Sequence, residues 1–225
     1  YDNIRKFVRY LLSTNVGEII AMFSALVIGL RVPLLAIQIL WINLVTDGLP
    51  AIALGFEPSE PGVMKRKPRP PRESIFAQGV GLHIISVGLW IGAVTRIGFV
   101  WALDRHGGEL FNPSDEALRV ARTMAFTILA LTQVFEVSAS HGGEASFLRA
   151  PLSRNKLLWI AVMLTAALQM LVIYEPFAQE IFNTTSLDAT ELIVAWLLAG
   201  SLFPAVEVEK YLRRRRTRQG AAQPV

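Results

Sequence analysis

Six stretches of about 20 mostly apolar residues dominate this 225-residue chain, at roughly 10–30, 34–54, 79–103, 118–139, 157–174 and 192–208. A helix needs about 20 such residues to cross the hydrocarbon core of a bilayer. In that core only helices and closed barrels satisfy their own backbone polar groups. Composition agrees: 18% of residues are charged, below the roughly 25% usual in soluble domains. The sequence therefore predicts an all-α membrane protein, a bundle of six transmembrane helices.

The placement of Lys and Arg orients the bundle. Seventeen of the 22 basic residues fall in four segments that an even number of spans puts on one side. These are the N-terminal flank (Arg5, Lys6, Arg9), the loop after the second span (Lys65, Arg66, Lys67, Arg69, Arg72), the 140–156 loop (Arg149, Arg154, Lys156) and the tail (Lys210, Arg213, Arg214, Arg215, Arg216, Arg218). The positive-inside rule makes that side, and both termini, cytoplasmic. The loop after the second span holds five prolines and reads as stiff and solvated. The outer loop EPFAQEIFNTTSLDATE carries acids and no bases, and its Asn183-Thr184-Thr185 triplet is read as a chance match to a glycosylation sequon.

Several functions are excluded by residue type. There is no cysteine, hence no disulfide, Fe–S or thiolate zinc site, and His83, His106 and His141 are too scattered for a metalloprotease-type motif. The arginine run of the tail adjoins a span and reads as an anchor on anionic lipid, not a nucleic-acid contact. The chain opens on Tyr1 and enters an apolar helix without signal-peptide features, so it is expected to be a piece of a longer protein.

Carboxylates inside a span cost about 2.5–3.5 kcal/mol on insertion scales and by default mark function. Glu18 lies about 12 Å and Asp47 about 10 Å from the cytoplasmic ends of the first two spans, at ~1.5 Å per residue. The two therefore share a depth on antiparallel neighbours. Asn15 precedes Glu18 by three residues, while Asn43 and Thr46 precede Asp47 by four and one. Gln133 lies about 9 Å deep in the fourth span, with Glu136 one turn nearer the cytoplasm as a rim residue or auxiliary ligand. Hard cations such as Ca²⁺ take six to eight oxygens of these kinds. Gly48 weakens the second helix and Pro50 has no N–H for the Thr46 carbonyl, so that helix is expected to unwind near Asp47-Gly48, as at ion sites on broken helices. Arg96 and Arg122 are expected to snorkel or to pair with acids, and Gly88 with Gly92 to allow close helix packing.

The stretches RKFVRYLLSTNVGEII, QILWINLVTDGLPAIALGFEP, VMKRKPRPPRE and ARTMAFTILALTQ resemble the C-terminal membrane region of type II P-type ATPases, the Ca²⁺ pumps akin to the sarco/endoplasmic reticulum enzyme and its bacterial relatives. The resemblance covers residues 1–225 as one transmembrane domain, helices five to ten of ten. It implies ATP-driven export of Ca²⁺ from the cytoplasm, with H⁺ counter-transport as an option, and Ca²⁺ ligands at Asn15, Glu18, Asn43, Thr46 and Asp47. The basic loop, with Glu57 and Glu60 at its start, would touch the phosphorylation domain over residues 57–72. Partners implied are the lipid bilayer and the rest of the same pump.

One departure bears on stoichiometry. Gln133 stands where two-site pumps carry a Glu, which lowers the charge available to a second ion. The chain also lacks the DKTGT phosphorylation motif and a nucleotide domain. ATP and Mg²⁺ thus belong to parts outside it, and alone it should be inactive and bind Ca²⁺ weakly. A single-site Mn²⁺/Ca²⁺ pump is an alternative, since oxygen ligands suit both ions. A channel or carrier independent of ATP would predict an internal repeat, which the sequence does not show, and a bare anchor would not need paired acids. The expected location is a bacterial plasma membrane.

Overall fold

The structure is a computed structural model that describes residues 2–58, 74–76, 79–107, 109–141 and 155–220. The basic residues of the 59–73 segment and Arg149 and Arg154 lie outside the described residues, as do the side chains of the arginine tail.

Apolar sequence becomes helix wherever the bilayer forbids an unpaired backbone. The elements are α1 (Asp2–Ile28), α2 (Ala36–Trp41), a π-helical turn (Ile42–Thr46), α3 (Gly48–Gly55), α4 (Val80–Arg105), α5 (Asp115–His141), α6 (Lys156–Tyr174), α7 (Pro176–Phe182), α8 (Ala189–Gly200) and α9 (Leu202–Gly220). Six helical stretches are long and apolar enough to span a membrane, with α2 to α3 and α8 to α9 each forming one. The protein is a multi-pass integral membrane protein. The first span begins at Asp2, well before the expected residue 10, because the polar start of α1 continues its helix below the apolar stretch.

α5 is the centre. Of its apolar window 83% is buried, against 28–50% in the other spans, so it is enclosed by α1, α4, α6, α8 and α9. Phe99 of α4 meets Met124 and Ile128 of α5 in one core cluster, and Tyr10, Leu54, Val137 and Leu158 bring α1, α3, α5 and α6 together in another. The α1–α4 crossing is closest at Gly17, Gly88 and Gly92, whose missing side chains admit Ile91, Val16 and Ile20. The packing expected of the Gly88/Gly92 pair is therefore present.

Ends are capped by polar side chains. Asn155 accepts from the Leu158 N–H at 3.0 Å to start α6, and its amide donates to the Ala53 carbonyl at 3.0 Å, tying α6 to α3. Asp188 and Glu191 form a reciprocal capping box at α8. Asn183 ends α7 with φ 52°, a left-handed conformation that Asn tolerates, which accounts for an asparagine there.

The break expected at Asp47-Gly48 takes a different form. The second span widens into the π turn instead of unwinding, and the Asp47 N–H bonds the Ile42 carbonyl at 2.8 Å. A π turn re-pairs the backbone donors that an unwound segment would leave bare in hydrocarbon. The Thr46 carbonyl, which Pro50 cannot serve, accepts the Tyr10 hydroxyl at 3.4 Å.

Candidate cation site

The site is built from α1, the π turn and α5. On α1, Tyr10, Thr14 and Glu18 recur every four residues, so they stand one above another on one face. All three are buried, Glu18 being 6% exposed. Asn43 and Asp47 obey the same spacing across the π turn. Antiparallel spans joined by a short turn bring the two stripes together.

Asp47 is fully buried and its carboxylate is fixed at both ends. The Tyr10 hydroxyl donates to Oδ1 at 3.1 Å and the Thr14 hydroxyl to Oδ2 at 3.0 Å. Glu18 is held by amides instead: Asn43 Nδ2 donates to Oε2 at 3.1 Å and Gln133 Nε2 to Oε1 at 3.4 Å. The two acids interact electrostatically. Among the described residues there is no cluster of three or more His, Cys, Asp or Glu side chains able to hold a metal. Any cation here must therefore draw on amide, hydroxyl and carbonyl oxygens beside two carboxylates, the donor set that Ca²⁺ accepts. Gln133 Oε1 is buried with no hydrogen-bond partner, an orphan acceptor of the kind a ligand or ion would satisfy.

The residues expected from sequence are not equally engaged. Glu18, Asn43 and Gln133 are joined directly, with Asp47 beside them. Asn15 is half-buried and its amide turns back to the Leu11 carbonyl at 2.7 Å. The Thr46 hydroxyl donates to its own helix, to the Ile42 carbonyl at 2.8 Å, and its carbonyl takes part through Tyr10. Tyr10 and Thr14 escaped the sequence reading; the 10-14-18 spacing was the available signal.

Glu136 belongs to a separate polar network, nearer the C-terminal end of α5 than Gln133. His83 lies between two acids, with Nε2 3.3 Å from Glu136 Oε1 and Nδ1 2.8 Å from Glu209 Oε2. Ser140 links Glu136 to Arg9 by contacts of 3.4 and 3.2 Å. Among the described residues, neither intramembrane arginine pairs with an acid through a hydrogen bond. Arg96 donates to the Ala21 carbonyl and to Ser24 Oγ and lies 5.6 Å over the Phe99 ring, while Arg122 donates to the Val32 carbonyl. The acceptors are a carbonyl and a hydroxyl on α1 for Arg96 and a carbonyl of the α1–α2 loop for Arg122.

Comparisons with known proteins bear on this arrangement. A family profile described as cation transporting ATPase, C-terminus, matches residues 31–212. Over 210 residues the chain is 44% identical to a calcium-transporting ATPase of Bacillus subtilis (strain 168), covering 90% of this chain and 23% of that protein. It is 36% identical over 213 residues to calcium-transporting ATPase 1 of Bacillus cereus, covering 92% and 24%. It is 30% identical over 239 residues to the endoplasmic reticulum calcium ATPase srcA of Aspergillus fumigatus, covering 96% and 24%. The chain spans about a quarter of the length of these relatives. With a profile match over most of its length and with relatives of this identity, the chain belongs to the family of cation transporting ATPase C-terminal regions.

Proposed function

We propose that this chain, residues 1–225, is the cation-binding membrane domain of an ATP-driven pump that exports Ca²⁺ from the cytoplasm. The observation that carries the reading is the joining of Glu18 to Asn43 and Gln133 beside the buried Asp47. The relatives are calcium-transporting ATPases by name, and a bacterial plasma membrane is the location their bacterial members favour.

Asn15, Glu18, Asn43, Thr46, Asp47 and Gln133 are the proposed ligands. Two carboxylates balance one divalent ion, and protons returning on Glu18 and Asp47 would neutralise the site after release. ATP and Mg²⁺ act in cytoplasmic domains outside this chain, which the 57–72 loop contacts. Transport follows from a change of affinity: tilting of the first two spans separates Glu18 from Asp47, and the ion shifts the balance of states only through its preference for one of them.

The test is Ca²⁺-dependent phosphoenzyme formation from ATP by the full-length pump, wild type against Glu18→Gln, across a Ca²⁺ titration. A large loss of Ca²⁺ response in the variant supports the reading. An unchanged titration would remove Glu18 from the site.

A further inference from the structure

The first two spans form an antiparallel hairpin, joined at one end by the turn between α1 and α2 and fastened at the other by side chains. On α1 the stripe of Tyr10, Thr14 and Glu18 continues one turn back to Lys6. Lys6 Nζ lies 3.3 Å from Glu57 Oε2, just past the end of α3, and the two side chains are 9% and 0% exposed. Asn3, near the start of α1, donates its amide to the Glu57 carbonyl at 2.6 Å and to the Gly55 carbonyl at 3.2 Å.

These contacts complete a ladder. Glu18 meets Asn43, Thr14 and Tyr10 meet Asp47, and Lys6 meets Glu57, so the partners descend one span as they climb the other. Slipping the spans by one turn, about 5.4 Å, would set Lys6 against Ala53 and Glu18 against Ile39, two charged groups facing carbon. Apolar surfaces tolerate such a slip. A buried ion pair does not, because either charge left alone bears its desolvation cost without compensation.

Glu57 heads the segment expected to touch the phosphorylation domain, yet its own carboxylate is turned inward and enclosed. Stability alone does not account for this. Two well-packed apolar residues in place of a buried pair often leave a protein no less stable. What a buried polar contact supplies is register, as one buried polar residue does between the helices of a coiled coil.

We propose that Lys6 and Glu57, with Asn3, form a positioning clasp that fixes the axial register of the first two spans and thereby holds Glu18 and Asp47 in the cation-binding arrangement. The clasp rests on the function proposed above and deepens it. Lys6 stands about 18 Å along α1 from Glu18, so it acts through the helix and not on the ion. Separating Glu18 from Asp47 requires the clasp to yield. Breaking it lowers the fraction of molecules in the binding form, and the apparent Ca²⁺ affinity falls by that fraction.

The test compares Lys6→Met, Glu57→Gln, Glu57→Asp and the exchanged pair Lys6→Glu with Glu57→Lys in the full-length pump. Phosphoenzyme formation from ATP is titrated with Ca²⁺, and thermal unfolding is followed in chelator and in Ca²⁺. Lys6→Met and Glu57→Gln should each need at least about fivefold more Ca²⁺ for half-saturation, the low end of coupling between separate sites. They should still reach the wild-type maximum, and Ca²⁺ should raise their thermal midpoints less than that of wild type. The exchanged pair should return toward the wild-type titration. Glu57→Asp, one methylene shorter, should shift it in the same direction by less, and it carries the test if the neutral variants do not fold. A titration unchanged by the variants that fold overturns the proposal. So do midpoints that fall equally with and without Ca²⁺, the mark of a contact serving stability alone. Glu18→Gln, measured alongside, separates the two claims: if it weakens the Ca²⁺ response and the clasp variants do not, the clasp fails and the site stands. If neither changes the response, the site reading fails together with the clasp.

Discussion

Gln133 on α5 donates its amide to Glu18 on α1 at 3.4 Å, and its own carbonyl oxygen is buried without a partner. This pair joins the first and fourth spans at the level of Asn43, about a turn from where Thr14 and Tyr10 hold Asp47, and it makes the site's charge sensitive to one atom. In Gln133→Glu a second carboxylate would face Glu18. Leaving a buried charge uncompensated costs roughly 3 kcal/mol, so the variant should melt lower than wild type in chelator and recover much of the difference in Ca²⁺. Thermal unfolding of the full-length pump with and without Ca²⁺ measures this; an equal loss in both conditions would refute a cation role for the position.

Tyr10 and Thr14 hold the two oxygens of Asp47. Tyr10→Phe deletes one donor and leaves a buried carboxylate oxygen short of a hydrogen bond, at a cost of about 1–2 kcal/mol. If Asp47 binds the ion in the orientation seen here, Ca²⁺ half-saturation of phosphoenzyme formation should weaken about 5- to 30-fold. Thr14→Val should act alike on the other oxygen, and Thr14→Ser should restore the wild-type response.

The α1–α4 crossing leaves no room at Gly88. A Cβ there would lie 2.5 Å from Val16 Cγ1 and 2.9 Å from its Cβ, atoms that cannot swing aside on a β-branched residue. Gly88→Ala should cost about 1–3 kcal/mol by forcing the helices apart. Combining it with Val16→Ala removes the 2.5 Å contact but keeps the 2.9 Å one, so it should return only part of the loss, which a double-mutant thermal comparison reads directly.

At the start of α8, the Glu191 backbone N–H donated to Asp188 holds the Asp188 carboxyl below its ordinary range, with Arg105 adding to the effect. A carboxyl depressed in the folded state contributes stability above its unfolded pKa of about 3.9, and that contribution is lost as pH falls through the lower folded value. The start of α8 should therefore loosen below about pH 4. Asp188→Asn should remove this acid step from the pH profile of thermal stability while leaving neutral-pH activity intact.

Hydropathy and charge alone gave the number of spans and the acids worth attention. The reason is physical: hydrocarbon cannot hydrogen-bond, so a run of 20 apolar residues has little choice but helix, and a carboxylate inside it needs a purpose. Helical spacing also placed the glycines of the third span at a close crossing, but the two acids expected at one depth stand about a turn apart, Glu18 level with Asn43 and Asp47 level with Thr14 and Tyr10.

Tertiary structure decided what each polar side chain does with its hydrogen bonds. Asn15 and Thr14 are adjacent on α1, yet Thr14 reaches Asp47 while Asn15 bonds back to Leu11, a choice set by the rotation of α1 against its neighbours. The π turn replaced the expected unwinding because re-pairing the backbone costs less than baring it. Arg96 and Arg122 found backbone carbonyls, of Ala21 and Val32, where the sequence offered acids as partners. The single sequence carries the menu of partners for each group, and only the packing of six helices selects among them.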